Sequence, residues 1–333
     1  MAARFSFRWL IAGISALGLV SIGASGAFAQ STWTGASNTS WSTAGNWSGG
    51  VPGVNGTVTL PATNTGNRYA IVMPGAGSNA ISSLTVAAGS TPYSLSAAGD
   101  LNLVNGGSIA NSRKSGANPG LTVGALNLVG PTATVGGVGY TKLTSVTTSS
   151  APANLTLSSG STQVLGTTDV SLAVSSGATL VLNESQVGDV TVSAGGKMTG
   201  AGTFGASFGG DVTLNGGSTT QAFIGGAGGT DIASDTFVNN STAYGGDLSL
   251  NFSQVAAGTL FDNWATTSIF GGATTGSFTS VTIVGGNSPY DNLTFSPVGG
   301  GRGEWVTGTF AGLNGESQWL VFQQGTGNLV VVP

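Results

Sequence analysis

A short phrase of residues is repeated between Leu155 and Thr219, and it restricts the possible folds of this chain more than any other feature. Each copy contains alternating β-forming residues, a Ser/Gly turn and a further apolar pair. Three copies begin with Asp-Val-Ser/Thr-Leu/Val, at Asp169, Asp189 and Asp211. An interval of roughly 20 residues is typical of β-solenoids, in which each coil returns the chain to the edge of the coil before it.

The composition favours repetitive β-structure and excludes several other classes. The 333 residues include 58 Gly, no Cys and no His, and only 6% are charged, whereas ordinary soluble domains contain about 25% charged residues. The lack of Cys excludes a disulfide framework. The scarcity of Lys and Arg argues against a nucleic-acid partner, because phosphate groups need many basic residues for neutralisation.

Residues 1–29 have the features of a signal peptide that is removed on export. Two arginines are followed by the apolar run Trp9–Ile22 and by the A-x-A cleavage site Ala27-Phe28-Ala29. An uncleaved membrane anchor is the alternative, but the apolar run is short for one. Cleavage before Gln30 would leave six basic and twelve acidic residues and no membrane span. We therefore expect an acidic protein that is secreted or held at the cell surface.

The remaining chain divides into three predicted parts of an all-β fold. We predict a right-handed parallel β-helix at 61–245, an aromatic N-terminal cap at 30–60 and a β-rich C-terminal module at 246–333. At about 20 residues per coil, the repeats would form about eight or nine coils. Residues 105–120 interrupt the rhythm, and we expect them to form a loop that bulges from one coil.

Three of the seven Trp residues, Trp33, Trp41 and Trp47, lie close together at the start of the exported chain. They can form a cap that blocks pairing at the open edge of the first coil. Alternatively, their ring faces can stack on the pyranose rings of a polysaccharide. No carboxylate or amide flanks them in a position suited to sugar hydroxyls, which favours the cap.

The Asp column is the strongest candidate for chemistry. If Asp169, Asp189 and Asp211 stack on successive coils, their Cβ atoms lie about 5 Å apart, which is the spacing between adjacent strands. Such a column could bind Ca²⁺, or could act as an acid/base pair on a polysaccharide. The alternative is that each Asp caps a turn by accepting a backbone N–H bond. The phrase recurs at Asp100 and Asp247, and this repetition favours the turn role.

Other catalytic and metal patterns fail in their context. Residues 205–209 match the G-x-S-x-G nucleophile pattern, but a chain without His has no Ser-His-Asp triad. Residues 225–231 resemble a calcium-binding nonapeptide, but the Asp comes one place late and there is one copy. A lyase would need a basic group beside its carboxylates, and Lys197 is the one candidate in this region. We predict no cofactor, with Ca²⁺ as the one possibility.

Several motifs resemble those of known families. Trp33-Thr34-Gly35, Asn46-Trp47 and Gly50-Val51-Pro52 resemble the opening segment of bacterial surface proteins with autotransporter-associated β-strand repeats. The run 188–204, with its Gly-Gly corner and Gly-x-Gly-Thr, is similar to their repeat. The run 276–333 resembles the region before the sorting tail of PEP-CTERM exported proteins. The sequence itself contains neither a transporter barrel nor a sorting tail, so the resemblance implies an exported repeat passenger of a Gram-negative-type bacterium.

Two functional hypotheses follow. The first is a non-enzymatic exported β-solenoid with a surface, extracellular-matrix or adhesive role, whose partner is a polysaccharide or another copy of the chain. The second is a polysaccharide-binding or polysaccharide-degrading protein of the pectin-lyase-like β-helix type, which would use the Asp column or the exposed Trp residues. Because no catalytic partner for the carboxylates is evident, we expect that the protein is not an enzyme.

Overall fold

The computed structural model describes residues 30–75, 80–97, 99–114, 117–149, 153–165, 170–182, 188–200, 206–207, 210–226, 230–299, 303–313 and 315–333. The signal peptide predicted at 1–29 and Asp169 lie outside the described residues. In the described part the chain is almost entirely β, with one short 3₁₀ helix at Ala44–Asn46 and no α-helix. No helix in this part is both long enough and apolar enough to cross a membrane.

Most strands form the coils of a parallel β-helix, which confirms the predicted fold. Strands on the first face pair in parallel with the equivalent strands of the coils before and after. They are β1 (Gln30–Thr32), β2 (Gly56–Leu60), β4 (Ala80–Val86), β6 (Leu101–Asn111), β8 (Thr132–Gly136), β10 (Ala153–Leu157), β12 (Val170–Val174), β14 (Val190–Val192), β17 (Val212–Leu214), β21 (Ser241–Tyr244) and β24 (Ala273–Gly276).

A second face alternates with the first along the chain. Its strands are β3 (Ala70–Met73), β5 (Tyr93–Ala97), β7 (Leu121–Val129), β9 (Tyr140–Thr148), β11 (Gly160–Val164), β13 (Ala178–Leu182), β15 (Lys197–Gly200), β18 (Thr219–Gly226), β22 (Asp247–Asn251) and β25 (Ser280–Val284). A short third face exists where the strands are long, because Leu101–Val104 of β6 pairs with Leu126–Val129 of β7. The described part thus contains ten or eleven coils.

The core of the β-helix consists of columns of aliphatic side chains. Strand residues alternate between buried and half-exposed positions, for example in β10, β12 and β13. Leu155 pairs with Leu172, Leu172 with Val190, and Val190 with Val212, and all four side chains are buried. Each such burial contributes about 1.5–3 kcal/mol to stability. The two-residue period of the strands therefore places one apolar column inside successive coils.

The coils are not of one length, in contrast to the regular interval expected from the repeated phrase. One turn of the β-helix takes the chain from Thr57 to its partner Ser83. The shortest coil runs from Ala153 to its partner Val170, and the longest runs from Asp247 to its partner Ser280. The apolar columns stay continuous through this variation because the corners of the coils, at the surface, accept insertions.

The aromatic N-terminal cap covers both edge strands of the first coil. The backbone of Val72 in β3 exchanges hydrogen bonds with Thr39 and Trp41, at 2.8 and 3.0 Å. The N–H of Ser48 donates to the carbonyl of Thr32 in β1 at 3.0 Å. These bonds occupy backbone groups that would otherwise be free to pair with another chain.

Two boundaries differ from the sequence-based prediction. The parallel sheet begins at Gln30 and ends at Val284, beyond the predicted repeat region 61–245 on both sides. The C-terminal module is an antiparallel sheet that overlaps the last coils. It consists of β23 (Thr266–Ser268), β26 (Phe295–Val298), β27 (Glu304–Thr307), β28 (Phe310–Ala311), β29 (Ser317–Gln323) and β30 (Asn328–Val332).

Aromatic side chains join the last coils to this module. The rings of Tyr244 and Phe278 stack at 4.6 Å, and Phe278 lies 5.9 Å from Phe322 of β29. Phe252 and Phe310 both pack against Tyr290, at 5.1 and 5.3 Å.

Three short strands lie beside the last coils, namely β16 (Ala206–Ser207) parallel to β20 (Phe237–Val238), and β19 (Ile232–Ser234) antiparallel to β18.

The prediction of a loop at 105–120 is wrong for residues 105–111, because they belong to β6. Arg113, which follows this strand, is completely buried. Its guanidinium donates to the carbonyls of Pro61 (2.6 Å), Ala62 (2.9 Å) and Thr91, and its Nε to Ala87 (3.2 Å). It also lies 4.5 Å from the centre of the Tyr93 ring. This segment therefore ties neighbouring coils together instead of bulging outward.

Candidate functional site

The structure describes two of the three members of the predicted Asp column, and these two are in register. Val190 pairs with Val212, so Asp189 and Asp211 stand at equivalent positions on successive coils. Leu172 pairs with Val190 in the coil before, and this pairing places Ser171 level with Asp189. Asp169 itself lies outside the described residues. The column that the structure describes therefore consists of Asp189 and Asp211, with Ser171 at the position that the repeat interval assigns to Asp169.

Each described Asp of the repeated phrase from 189 onward accepts a hydrogen bond from the next coil. Asp189 Oδ1 accepts from the backbone N–H of Asp211 at 2.9 Å. Asp211 Oδ1 accepts from the hydroxyl of Ser241 at 2.9 Å. Asp247 Oδ1, on the second face, accepts from the hydroxyl of Ser280 at 2.6 Å. The sequence predicts that each Asp accepts a backbone N–H bond within its own turn. The bonds observed for Asp189, Asp211 and Asp247 instead link one coil to the next.

The surroundings of Asp189 and Asp211 provide little for acid/base catalysis. Both residues are exposed and precede strands of the first face. Lys197 lies in β15 on the second face, where it pairs with Thr179 and Thr219. A lyase needs a basic group close to its carboxylates, and the register puts Lys197 on a different face of the coil.

A metal site of the usual kind is not formed by the described residues. Calcium takes six to eight oxygen ligands, whereas two carboxylates stack here. In the part of the chain described, no three acidic, His or Cys side chains come together as a group that could hold a metal ion. Calcium binding by the Asp column stays a prediction that involves Asp189 and Asp211.

The three N-terminal Trp residues form a buried cluster. Trp33 and Trp41 are fully buried and Trp47 is 5% exposed. The Trp47 ring packs edge-on against Trp33 at 4.9 Å and against Trp41 at 4.7 Å. The indole N–H of Trp33 donates to the carbonyl of Arg68 at 2.8 Å, and that of Trp47 to the carbonyl of Trp41 at 2.6 Å. Their ring faces are occupied by protein, which agrees with a cap and leaves no platform for a sugar.

An open groove lies on the surface of the coils. It has a volume of about 300 Å³ and is lined by Lys114, Val138, Gly139, Tyr140, Gly160 and Ser161. Burial raises the pKa of the Tyr140 hydroxyl, which bonds to Gln163 at 3.0 Å. Among the described residues of the lining there is one cation and no carboxylate, so these residues offer no acid/base pair.

Sequence reasoning misses one surface residue, Trp264. Its side chain is 64% exposed, and it follows Asp262 and Asn263 directly. A signal is present in the sequence, since the Asp-Asn-Trp run places a carboxylate and an amide beside an indole. No carboxylate flanks Trp33, Trp41 or Trp47 in this way. The C-terminal module contains many aromatic residues, and most of them are buried. The sequence therefore does not distinguish Trp264 from the aromatic residues of the core.

Comparison with known proteins adds no functional assignment. No protein-family model matches the chain, and no curated protein matches it in sequence.

Proposed function

We propose that this protein is an exported, non-enzymatic β-solenoid with a structural or adhesive role at the cell surface or in the extracellular matrix. The observation that carries the proposal is the use of the repeated carboxylates. Asp189, Asp211 and Asp247 each accept a hydrogen bond from the following coil. These side chains join one coil to the next, as a structural repeat requires.

The shape and surface of the β-helix support the same role. Ten or eleven coils at about 4.8 Å each make a rod roughly 50 Å long. Its outward positions carry uncharged polar side chains, for example Asn154 and Thr156 of β10 and Ser161 and Gln163 of β11. Such a surface presents repeated hydrogen-bonding groups to a hydroxyl-rich matrix, with few charges to attract ions.

Export is supported by the signal-like residues 1–29 and by the resemblance to repeat passengers. The test is to express the full chain with a C-terminal epitope in a Gram-negative host, and to compare it with a variant that lacks residues 2–29. We expect the full chain in the medium or at the surface, accessible to added protease, with Gln30 as the new N-terminus. The truncated variant should stay inside with a cytoplasmic marker. A protease-protected cytoplasmic pool of the full chain would contradict the proposal.

A further inference from the structure

Trp264 is the single exposed aromatic side chain in the described part of the chain, and its backbone is strained. Its φ is +67°, a left-handed conformation that normally requires Gly or Asn. The N–H of Ala265 donates to the carbonyl of Asp262 at 3.1 Å, so Trp264 occupies the third position of a β-turn where Gly is usual. A large apolar residue that is both strained and exposed does little to stabilise the fold, and this indicates a functional role.

The turn that carries Trp264 is held at three points. Thr230 bonds to Asp262 through its hydroxyl, and its carbonyl accepts the Asp262 N–H at 2.9 Å. The Asn263 amide donates to Glu316 Oε2 at 2.7 Å. The N–H of Trp264 donates to the carbonyl of Val331 at 2.7 Å. These bonds hold the backbone of the turn between the last coils and the antiparallel module, so binding at the indole would not have to order the turn.

A buried amide supports this arrangement from below. Gln318 is 1% exposed, and its Nε2 donates to Asn263 Oδ1 at 2.5 Å and to the carbonyl of Phe261 at 3.3 Å. Its Oε1 is buried without a hydrogen-bond partner. Burial of an unpaired oxygen costs free energy. The folded chain tolerates this cost, and Gln318 holds the Asn263 side chain in position.

The turn that carries the indole and the residue bonded to it have exposed groups that suit a sugar. Asp262 and Glu316 are exposed and can accept hydrogen bonds from hydroxyl groups, and the nearby Thr266 is also exposed. An indole face packs well on the C–H face of a pyranose ring, and an aromatic body with a polar rim is typical of binding surfaces. The buried N-terminal Trp residues have no such flanking carboxylates.

Charge limits the class of polysaccharide. Asp262 lies in the same turn as Trp264, and Glu316 bonds to Asn263 of that turn. Their carboxylates, with the excess of acidic over basic residues in the chain, repel uronic acid polymers. Hydroxyl groups of a neutral polymer meet no such repulsion. We propose that Trp264, Asp262 and Glu316 form a binding site for a neutral, hydroxyl-rich polysaccharide; this deepens the proposed function, on which it rests, by naming its ligand class.

The test is binding of the mature chain to dextran, a soluble mixed-linkage glucan and polygalacturonate, by affinity electrophoresis and calorimetry. We expect retention by at least one neutral glucan and weaker or no retention by polygalacturonate. Trp264→Asn should weaken binding at least tenfold. Its melting temperature should be unchanged or higher, because Asn tolerates the left-handed backbone. The matched control Val298→Ala removes another exposed apolar side chain of the module, 45% exposed, and should bind as wild type.

Three results would overturn the inference. They are no retention by either neutral glucan, equal binding by wild type and Trp264→Asn, and tighter binding of polygalacturonate than of the neutral glucans. None of these affects the export test, which reports on location alone. A cytoplasmic location would instead reject the proposed function even if the glucans bind.

Discussion

At the scale of single residues, two glycines at coil corners show how conformation and space combine. Gly177 and Gly246 both have positive φ, +77° and +66°. A Cβ on Gly177 would meet no atom within 4 Å, whereas a Cβ on Gly246 would lie 2.2 Å from the carbonyl oxygen of Ser218 in the previous coil. Both corners need the left-handed backbone, but only Gly246 also needs the space.

We predict that Gly177→Ala costs about 1 kcal/mol of unfolding free energy, from backbone strain alone. Gly246→Ala should cost about 3 kcal/mol or more, because the added methyl group also pushes against the neighbouring coil. Urea denaturation of the two variants measures the difference. Equal costs would show that the corners at Gly177 and Gly246 are equally open.

Two buried tyrosines, Tyr244 and Tyr290, lower the free energy of unfolding as the pH becomes alkaline. Burial raises the pKa of Tyr290 to about 12, against a smaller opposing effect of the Phe261 backbone. Burial also raises the pKa of Tyr244, whose hydroxyl is buried without a hydrogen-bond partner. An unfolded tyrosine has a pKa of about 10. The neutral form is favoured in the folded state, so this stability is complete below the unfolded pKa and is lost as the pH rises toward the folded pKa.

We expect the free energy of unfolding to fall above pH 10 by up to about 1.4 kcal/mol per pH unit for each of the two tyrosines. Urea midpoints at pH 7, 9, 10 and 11 measure the slope. The double variant Tyr244→Phe, Tyr290→Phe should have a flatter profile above pH 10. It should also be no less stable at pH 7, since removal of an unpaired hydroxyl relieves a cost. Identical profiles for wild type and the double variant would refute this.

At the scale of elements, the N-terminal cap protects the first coil. Trp47 lies between Trp33 and Trp41, so its loss would open a cavity at the centre of the cap. We predict that Trp47→Ala costs about 3–5 kcal/mol of stability and frees the β1 and β3 edges for intermolecular pairing. Hydrogen exchange of residues 30–60 and light scattering measure both effects.

The matched control for the cap is Val54→Ala, in the same segment but 63% exposed. It should keep wild-type exchange protection and remain monodisperse in light scattering. Unchanged protection in Trp47→Ala would show that the Trp cluster does not hold the cap in place.

The strands could be predicted from the sequence, but the register between them could not. Alternation around Leu172 and Val190 fixes which side chains face the core. A shift of two residues between coils leaves every side chain on the same face. Apolar patterning therefore cannot distinguish the observed pairing of Leu172 with Val190 from the pairing that would set Asp169 level with Asp189.

The candidate site was less predictable than the strands. The burial of Trp33, Trp41 and Trp47 is expected from their place at the open edge of the first coil, where a cap is the favoured interpretation. The exposure of Trp264 depends on a left-handed turn held by Thr230 and Val331, which are distant from it in sequence. Propensity alone gives no reason to expect a Trp at such a position.

At the scale of the whole molecule, the coils change in length while the core stays continuous. The shortest coils lie in the middle, between Ala153 and Val190, and the longest, from Asp247 to Ser280, lies next to the antiparallel module. The largest insertion therefore lies at the C-terminal end, where Trp264 is exposed. This arrangement places the exposed Trp264 at the end of the β-helix that joins the antiparallel module.

Asp189 and Asp211 join successive coils through their hydrogen bonds, and we propose that they have no catalytic role. The most direct measurement is the release of oligosaccharides from a panel of neutral and acidic polysaccharides by the mature wild-type chain and by Asp189→Ala. We expect no release by either protein. Release by the wild type that is abolished in Asp189→Ala would contradict it and would favour a polysaccharide-degrading enzyme.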